Sequence, residues 1–549
     1  MNVGLIGAAW ATADPDREAV VDLRVGARLS FGQVHARGDR VASWLRGIGF
    51  GPGDWAILAS RNRHEFFELF LGVAQAGGAL YPINWRLSDT EIVGLLSAVR
   101  SRVIFCEPDL ADRIGHIISN EKILVVFGDE PARLGEGGPS PSRHEKLWDY
   151  AHILCVSGPS ATPHDGNVAV LAVHTGGTTG RVKGAVHTHS GVIAAFINNG
   201  AVEAIVPTDR YLVMGQLFHS AAILALNYFM HGAAVVLFDY SPAGTLDVME
   251  SERVSATLAF PSMMRGILRL GGGFDVLGRL RSIQYGGGGF LLADVRAMLE
   301  INPRLLHCYG TSESVGVTFL TPAEHQEALA IGDLEMLRSC GREAVLAEVR
   351  LVDESGAVID PKSGAVGEIE VRSAANLASY IGSAETYGPL AWVPTGDLAA
   401  RRPDGRLVVA GRSKEVIRCG GENIYPRGLE EAIRRLPQVA DVAVVGVTDD
   451  TWGEVPVAFV VARSDMAAPS ADTVISSVRD ALGSYQKPHH VYFQDSLPVS
   501  SAGKIELGAL RQSAESMRRD AQPNRRDVVQ SPASAPVAPP TRLRGVVGS

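Results

Sequence analysis

Val168–His189 reads VAVLAVHTGGTTGRVKGAVHTH. Its apolar start, Val168 to Val173, has the length and branched side chains of a buried strand. The run empties into Thr175-Gly176-Gly177-Thr178-Thr179-Gly180-Arg181-Val182-Lys183-Gly184. Glycines without a Cβ let the backbone turn tightly and bring its N–H groups against an anion. The hydroxyls of Thr175, Thr178 and Thr179 and the Lys183 ammonium add side-chain donors, so the loop reads as a phosphate cradle. It is not the loop of ordinary NTPases, in which Gly-Lys precedes a Ser or Thr that holds magnesium. Gly184 follows Lys183, and a magnesium ligand has to come from elsewhere.

The loop resembles the phosphate loop of the adenylate-forming superfamily: acyl-CoA synthetases, amino-acid adenylating domains and beetle luciferases. It departs from the usual pattern at Gly176, where Ser is common, and at Val182, where Pro is common. Both departures change the stiffness and donor count of the loop.

Bulk properties narrow the field independently. At 549 residues the chain exceeds what one core supports, and two or more domains are expected. A net charge of −9 argues against nucleic-acid binding, which needs a basic face. Cys106, Cys155, Cys308, Cys340 and Cys419 lie scattered without CxxC spacing, which suits a reducing compartment and neither a disulfide framework nor a zinc site. The start lacks the basic and apolar regions of a signal peptide, and no run reaches the length of a membrane span. A soluble, cytoplasmic enzyme is expected.

From Pro15 onward strand-like and helix-like segments alternate, which favours a parallel sheet flanked by helices. Helical spacing over Phe31 to Leu45 follows Ser30 as an N-cap, Trp55 to Ala59 and Ala79 to Ile83 read as strands, and His64 to Ala76 as a buried helix. Asn84 to Asp89 is a polar loop ending in a helix cap, with Thr90 to Val99 the helix and Ser101 to Cys106 the next strand. Glu130 to Asp165 weakens into Pro, Gly and Ser and is expected to be a long surface excursion. Ser190 is expected to cap a helix over Gly191 to Ile197. Leu212 to Leu217 is a strand candidate leading to Phe218-His219-Ser220 and a helix over Ala221 to Phe229, an order that collects ligands beyond strand ends.

Farther on, Ser282 to Phe290 carries four successive glycines, Gly286 to Gly289, on which a flat ring can lie against backbone. Leu305 to Cys308 leads into Tyr309-Gly310-Thr311-Ser312-Glu313, which resembles the superfamily's YGxTE motif with Ser312 in place of the usual Thr. Gly367 to Arg372 alternates as a strand, Thr395-Gly396-Asp397 follows, and Gly411-Arg412-Ser413-Lys414 marks an expected domain border. Beyond it, Gly420-Gly421-Glu422-Asn423 precedes a helix over Gly428 to Leu436. Val442 to Val447 and Trp452 to Val461 are strands. Pro498 to Leu510, PVSSAGKIELGAL, closes the folded part, and the tail from Arg518 has too little apolar area to fold.

These motifs occur in the order that the adenylate-forming superfamily requires, from about Pro15 to Leu510, and the chain resembles its acyl-CoA synthetase or fatty-acid–CoA ligase branch. The resemblance implies an α/β fold: a large N-terminal domain with α/β sheets (residues 1–413) and a small mobile α+β C-terminal lid (414–517), with 518–549 a disordered tail. It implies an ATP-dependent enzyme that adenylates a carboxylic acid, releasing pyrophosphate, and passes the acyl group to the thiol of coenzyme A. Thr175, Gly177, Thr178, Thr179 and Lys183 would hold the β- and γ-phosphates. Glu313 would bind Mg2+, Ser312 would touch the α-phosphate and Thr311 would lie in the same loop. Tyr309, Gly287 and Gly288 would sandwich adenine, Asp397 would accept the ribose hydroxyls, and Arg412 would assist. Lys504 would bridge carboxylate and α-phosphate. Lys414 would be the hinge of a lid rotation that withdraws Lys504 and brings Gly420 and Gly421 toward the pantetheine arm.

At His219 the amino-acid adenylating domains usually carry an aspartate for the substrate ammonium, so an acid without an α-amino group is favoured. The acyl pocket is assigned to Phe218, His219, Ala222, Phe260, Gly286 and Val315, with His219 its gate. That lining suits a medium or long fatty acid, an aromatic acid or a bulky alicyclic acid alike. A carrier-protein phosphopantetheine in place of coenzyme A and a catalytically silent binder of nucleotide or acyl-adenylate stay open, as does a homodimer.

Overall fold

A computed structural model describes residues 2–118, 122–128, 147–156, 166–175, 183–499 and 505–521. The chain divides into two compact units, Met1–Val416 with Tyr425–Glu431, and Ile417–Ile424 with Ala432–Ser549.

The first unit carries two large mixed sheets. One runs, edge to edge, through Arg342–Glu343, Thr318–Leu320, Leu305–Tyr309, Ser282–Gly286, Ala256–Ala259, Arg210–Val213, Ala234–Leu237, Glu18–Asp22 and Ala27–Ser30. The other runs through Ser379–Tyr380, Lys183–Thr188, Ala169–Thr175, Ala79–Ile83, Trp55–Ala59, Ser101–Cys106, Ile123–Val126 and Leu147–Asp149. Strands are parallel in the middle and antiparallel at three of the four edges, as with Glu18–Asp22 against Ala27–Ser30 and Ala169–Thr175 against Lys183–Thr188, while the edge strand Leu147–Asp149 pairs in parallel with Ile123–Val126. The parallel pairing expected from alternation holds in the middle of both sheets, and antiparallel strands are added at three of their edges. A third, antiparallel sheet is built from Ala347–Val352, Val366–Ser373, Val393–Arg401 and Leu407–Arg412.

One hydrophobic core fills the space between the two large sheets and takes residues from both, among them Val20, Val213, Leu58 and Leu171. Helix Glu65–Ala76 is buried along its whole length, and Phe66, Phe67 and Phe70 are sealed from water. Each such side chain contributes roughly 1.5–3 kcal/mol relative to exposure. Helix Phe31–Gly47 starts on a capping box: Ser30 Oγ accepts from Gln33 N at 3.3 Å and Gln33 Oε1 accepts from Ser30 N at 2.9 Å.

A buried polar network runs through the same region. The Asp22 carboxylate accepts from His64 N at 2.9 Å, His64 Nδ1 lies 2.7 Å from Glu68 Oε1, and the Tyr150 hydroxyl donates to Glu68 Oε2 at 2.7 Å. Arg37 Nη1 reaches Glu68 at 3.4 Å. Tyr150 lies within the stretch read as a surface excursion. That stretch includes the edge strand Leu147–Asp149 and the short helix Tyr150–Ile153, whose apolar side chains lie in the core.

Other expectations shift by local hydrogen bonding. Thr188, not Ser190, caps helix His189–Glu203, because Thr188 Oγ1 accepts from Gly191 N at 3.0 Å. The strand before Phe218 ends at Val213 instead of Leu217, and Asn62 then takes over the backbone: its amide donates to Gly215 O and its carbonyl accepts from Leu217 N.

The second unit is an antiparallel sheet of Glu422–Ile424, Ile417–Cys419, Gly453–Ala462 and Val439–Asp449, with His490–Gln494 added in parallel to Gly453–Ala462. Helix Leu507–Ala521 closes its core through Leu510 and Ala514. Arg518 donates to Thr448 O and pairs with Asp449 at 2.7 Å, so it belongs to this unit and does not begin the tail.

Candidate active site

Strand Ala169–Thr175 delivers His174 and Thr175 to the rim of the eight-stranded sheet, and strand Lys183–Thr188 returns beside it with Thr175 opposite Lys183. The phosphate-loop segment is thus clamped at both ends by an antiparallel pair. Thr175 and Lys183 are its described ends; Gly177, Thr178, Thr179 and, in the other unit, Lys504 lie outside the described residues.

His174 organises the surroundings. Its backbone N–H donates to Phe218 O at 2.8 Å, and its carbonyl accepts both from Ser312 Oγ at 2.8 Å and from His219 Nδ1 at 3.1 Å. His219 therefore carries its proton on Nδ1. His174 Nε2 accepts from Asn84 N at 3.2 Å. Burial pushes the His174 imidazole down to about 3, with His219 adding to the effect, so it is neutral. Periodicity did not single this residue out, since its role runs through main-chain atoms. The one available signal was a polar residue ending an otherwise apolar strand.

Strand Leu305–Tyr309 supplies the second group. The Tyr309 hydroxyl donates to Asp397 Oδ2 at 2.8 Å, and Arg412 Nε pairs with Asp397 Oδ1 at 2.8 Å. Asp397 sits within strand Val393–Arg401, directly opposite Arg412 on Leu407–Arg412. Burial raises the Tyr309 phenol far above its ordinary value, and the adjacent Asp397 charge works in the same direction, so Tyr309 stays a donor.

Between Tyr309 and Asp397 in the chain, the Thr311–Glu313 turn is braced from several sides. Thr311 Oγ1 accepts from the N–H groups of Glu313 and Ser314, both at 3.1 Å. His187 Nε2 lies 2.9 Å from Ser312 O and donates to it. Burial holds His187 neutral against the pull of that carbonyl and of Glu313. Glu313 Oε1 accepts from the Tyr380 hydroxyl at 3.0 Å, and Leu377 N donates to Glu313 O at 2.7 Å. A half-buried carboxylate so oriented offers hard oxygen donors, which suit Mg2+ shared with phosphates and water.

Gly286 ends strand Ser282–Gly286, and a Cβ there would lie 2.2 Å from Cys308 O, so no side chain fits. Gly287 and Gly288 follow, with Gly287 turned against the Phe260 ring. Of the assigned acyl-pocket residues, Phe218 and Ala222 are fully buried, whereas His219, Phe260 and Val315 are partly buried. The Phe218 and His219 rings touch, with centroids 4.7 Å apart, and Phe260 stands by Gly215 and Gly287. Lys414 lies in the 3-10 turn Ser413–Glu415, just before the first break between the units at Val416. In the second unit Gly420 and Gly421, at φ +60° and +88°, form the two-residue hairpin turn between Cys419 and Glu422. Both need the left-handed region, which matches a type I′ hairpin.

Residues 8–381 match the family model described as AMP-binding enzyme, and residues 428–504 match the AMP-binding enzyme C-terminal domain. The chain is 29% identical over 494 residues to a feruloyl-CoA synthase of Amycolatopsis sp, covering 88% of this chain and 94% of that one. It is 30% identical over 509 residues to a medium/long-chain-fatty-acid–CoA ligase of Mycobacterium tuberculosis, covering 88% and 85%. Among solved structures, the amide bond synthetase McbA from Marinactinospora thermotolerans superposes with a TM-score of 0.79 at 26% identity, over 93% of this chain and 99% of that one.

Proposed function

We propose that this chain, which belongs to the AMP-binding enzyme family, is an AMP-forming acid–CoA ligase. The carboxylate of a small-molecule acid attacks the α-phosphate of ATP, the Pα–O bond to pyrophosphate breaks, and an acyl-AMP mixed anhydride forms. The thiol of coenzyme A then attacks the acyl carbon and AMP leaves. Two anions meet in the first step, so positive charge and fixed donors have to stand where charge develops.

The observation that carries this reading is that the one segment Tyr309–Glu313 bonds through Tyr309 to Asp397, through Ser312 to His174 and through Glu313 to Tyr380, which also meets Lys183. Asp397 accepts from the ribose diol, a role that suits a carboxylate with two acceptor oxygens. Tyr309, Gly287 and Gly288 flank adenine. Ser312 Oγ, now on the His174 carbonyl, turns to the α-phosphate, and Lys183 with Thr175, Gly177, Thr178 and Thr179 holds the β- and γ-phosphates. Thr311 fixes the turn that carries them. Glu313 with the phosphates would hold Mg2+, which supplies charge neutralisation when bound.

The substrate class is an acid without an α-amino group. His219 lies against the His174 carbonyl and ring and the Phe218 ring, and it presents an imidazole where an ammonium would need a carboxylate. Phe218, Ala222, Phe260, Gly286 and Val315 line an apolar wall that accepts a fatty or aromatic acyl group. Lys504 bridges the carboxylate and α-phosphate, and turning about Lys414 exchanges it for Gly420 and Gly421 before thioester formation. The cytosol suits the enzyme, since all five cysteines are free.

Pyrophosphate release with a panel of acids, with and without coenzyme A, tests this. Release requiring both ATP and one acid, with thioester only when coenzyme A is present, is expected. Thioester only with a phosphopantetheinyl carrier protein would reassign the acceptor, and no release with any acid would leave a binding protein. Lys414→Pro is expected to slow thioester formation more than adenylation.

A further inference from the structure

Tyr380 stands at the end of the chain segment that closes the phosphate-loop side of the site. Ser379–Tyr380 is an edge strand laid antiparallel on Lys183–Thr188, with Tyr380 opposite Ala185 and Ser379 opposite Val186. Backbone bonds fasten it on both sides: Ala378 N donates to Val186 O and Ile381 N to Gly184 O, each at 2.8 Å. The half-buried ring is therefore fixed relative to the outgoing arm of the loop.

Two charged groups of opposite sign meet this one side chain. Its hydroxyl donates to Glu313 Oε1 at 3.0 Å, and Lys183 Nζ lies 5.0 Å from its ring centroid, within the range of a cation–π contact. Lys183 begins a strand of the eight-stranded sheet, Glu313 lies in the turn after strand Leu305–Tyr309 of the nine-stranded one, and Tyr380 spans them. We infer that Tyr380 is a positioning residue of the nucleotide site: its hydroxyl aims the Glu313 carboxylate for the metal, and its ring retains the Lys183 ammonium at the mouth of the phosphate loop. This rests on the reading of Glu313 as the metal carboxylate given above.

The division of labour follows from the chemistry. A donor on Oε1 restrains the carboxylate plane while the acceptor capacity of Oε2 stays available to a cation, so less of the carboxylate's ordering is left to the moment the cation arrives. A hydrogen bond to a charged acceptor is among the stronger ones in proteins, enough for about a tenfold effect on a cation that depends on that plane. A phenol ordinarily titrates at about 10, so at neutral pH the hydroxyl is a donor. The ring acts on Lys183 without the hydroxyl, and the two roles separate by substitution.

The test uses the full chain with α,β-methylene-ATP, following Mn2+ by its electron paramagnetic resonance signal and nucleotide affinity separately in EDTA. Tyr380→Phe is expected to weaken Mn2+ binding in the nucleotide complex about tenfold and to leave nucleotide affinity in EDTA within twofold. Tyr380→Leu, which also removes the ring, is expected to weaken Mn2+ similarly and to lower nucleotide affinity in EDTA about threefold. Glu313→Gln serves as the reference and is expected to weaken Mn2+ at least as much as Tyr380→Phe. Should Glu313→Gln lose Mn2+ while Tyr380→Phe binds it as wild type does, the positioning role is wrong and the metal reading stands. Should Glu313→Gln bind Mn2+ as wild type does, the metal reading fails and takes the inference with it.

Discussion

Tyr309 and Asp397, 88 residues apart in the chain, are joined by a 2.8 Å hydrogen bond from the phenol to Oδ2. Arg412 holds the other carboxylate oxygen. The two residues assigned to adenine and to ribose are thus one unit before any nucleotide enters. Ordering is completed in folding, which lowers what binding has to supply.

Asp397→Ala removes the diol acceptor and leaves the Tyr309 hydroxyl buried without its partner. The KM for ATP is expected to rise at least tenfold, about 1.4 kcal/mol or more, with the KM for the acid within twofold. Tyr309→Phe keeps the ring and should raise the ATP value less. Steady-state kinetics with each substrate varied in turn decides, and an unchanged ATP dependence in Asp397→Ala would remove Asp397 from the ribose site.

Glu68 is fully buried and receives Arg37, His64 and Tyr150. Burial opposes its ionisation, but Arg37, His64 and the two side-chain bonds outweigh that and hold it below the usual carboxylate range. Glu68→Gln removes the buried negative charge on which Arg37 and His64 converge. A loss of about 3–5 kcal/mol is expected, against about 1–3 kcal/mol for Tyr150→Phe, which strips one bond. Urea unfolding of both variants measures this, and a Glu68→Gln loss under about 1 kcal/mol would contradict a paired, ionised Glu68.

Acid should destabilise the first unit well before its carboxylates titrate. Burial depresses His174 and His307 to about 3 and His325 to about 4, each from 6.5 in a free chain. Below 6.5 the unfolded chain binds protons that the folded one refuses, so this stability is complete above 6.5 and declines as pH falls toward 4. His64 has the opposite sign. Burial lowers it, but Glu65, Glu68 and Asp22 raise it further, so its contribution is present below 6.5 and is lost as pH rises through its folded value. On acidification through its folded value to 6.5 it gains stability and offsets part of the decline from the neutral histidines, and once complete below 6.5 it adds nothing more. The urea midpoint is expected to be lower at pH 5.5 than at 7.5, the unfolding free energy falling by about 1 kcal/mol per buried neutral histidine less the His64 gain, and His174→Gln should show a shallower decline. Equal midpoints at the two pH values would contradict neutral burial.

Much of this architecture is legible in the residues themselves. Ser30 with Gln33 announces a capping box, and the helix and strands from Phe31 to Cys106 fall within a few residues of their periodicity. Thr188 against Ser190 was not legible, because both hydroxyls precede the same apolar run. The choice is made by the strand pair Ala169–Thr188, which ends the ladder at Thr188. Antiparallel rims escape a reading by alternation, since a strand's direction depends on where its connection returns. In the site, motif order brought Tyr309, Ser312, Glu313 and Asp397 forward. His174, His187 and Tyr380 stayed hidden because they act through a carbonyl, a buried imidazole and an edge-strand pairing, none of which leaves a periodic trace.

The central claim is that the acid's own oxygen attacks the α-phosphate. Incubating the enzyme with ATP, coenzyme A and its acid labelled with 18O in the carboxylate, then weighing the products by mass spectrometry, addresses it directly. The account predicts one 18O in each AMP released, none in pyrophosphate, and an acyl-CoA retaining the second label. Unlabelled AMP, or ADP in place of AMP with the label in phosphate, would contradict it.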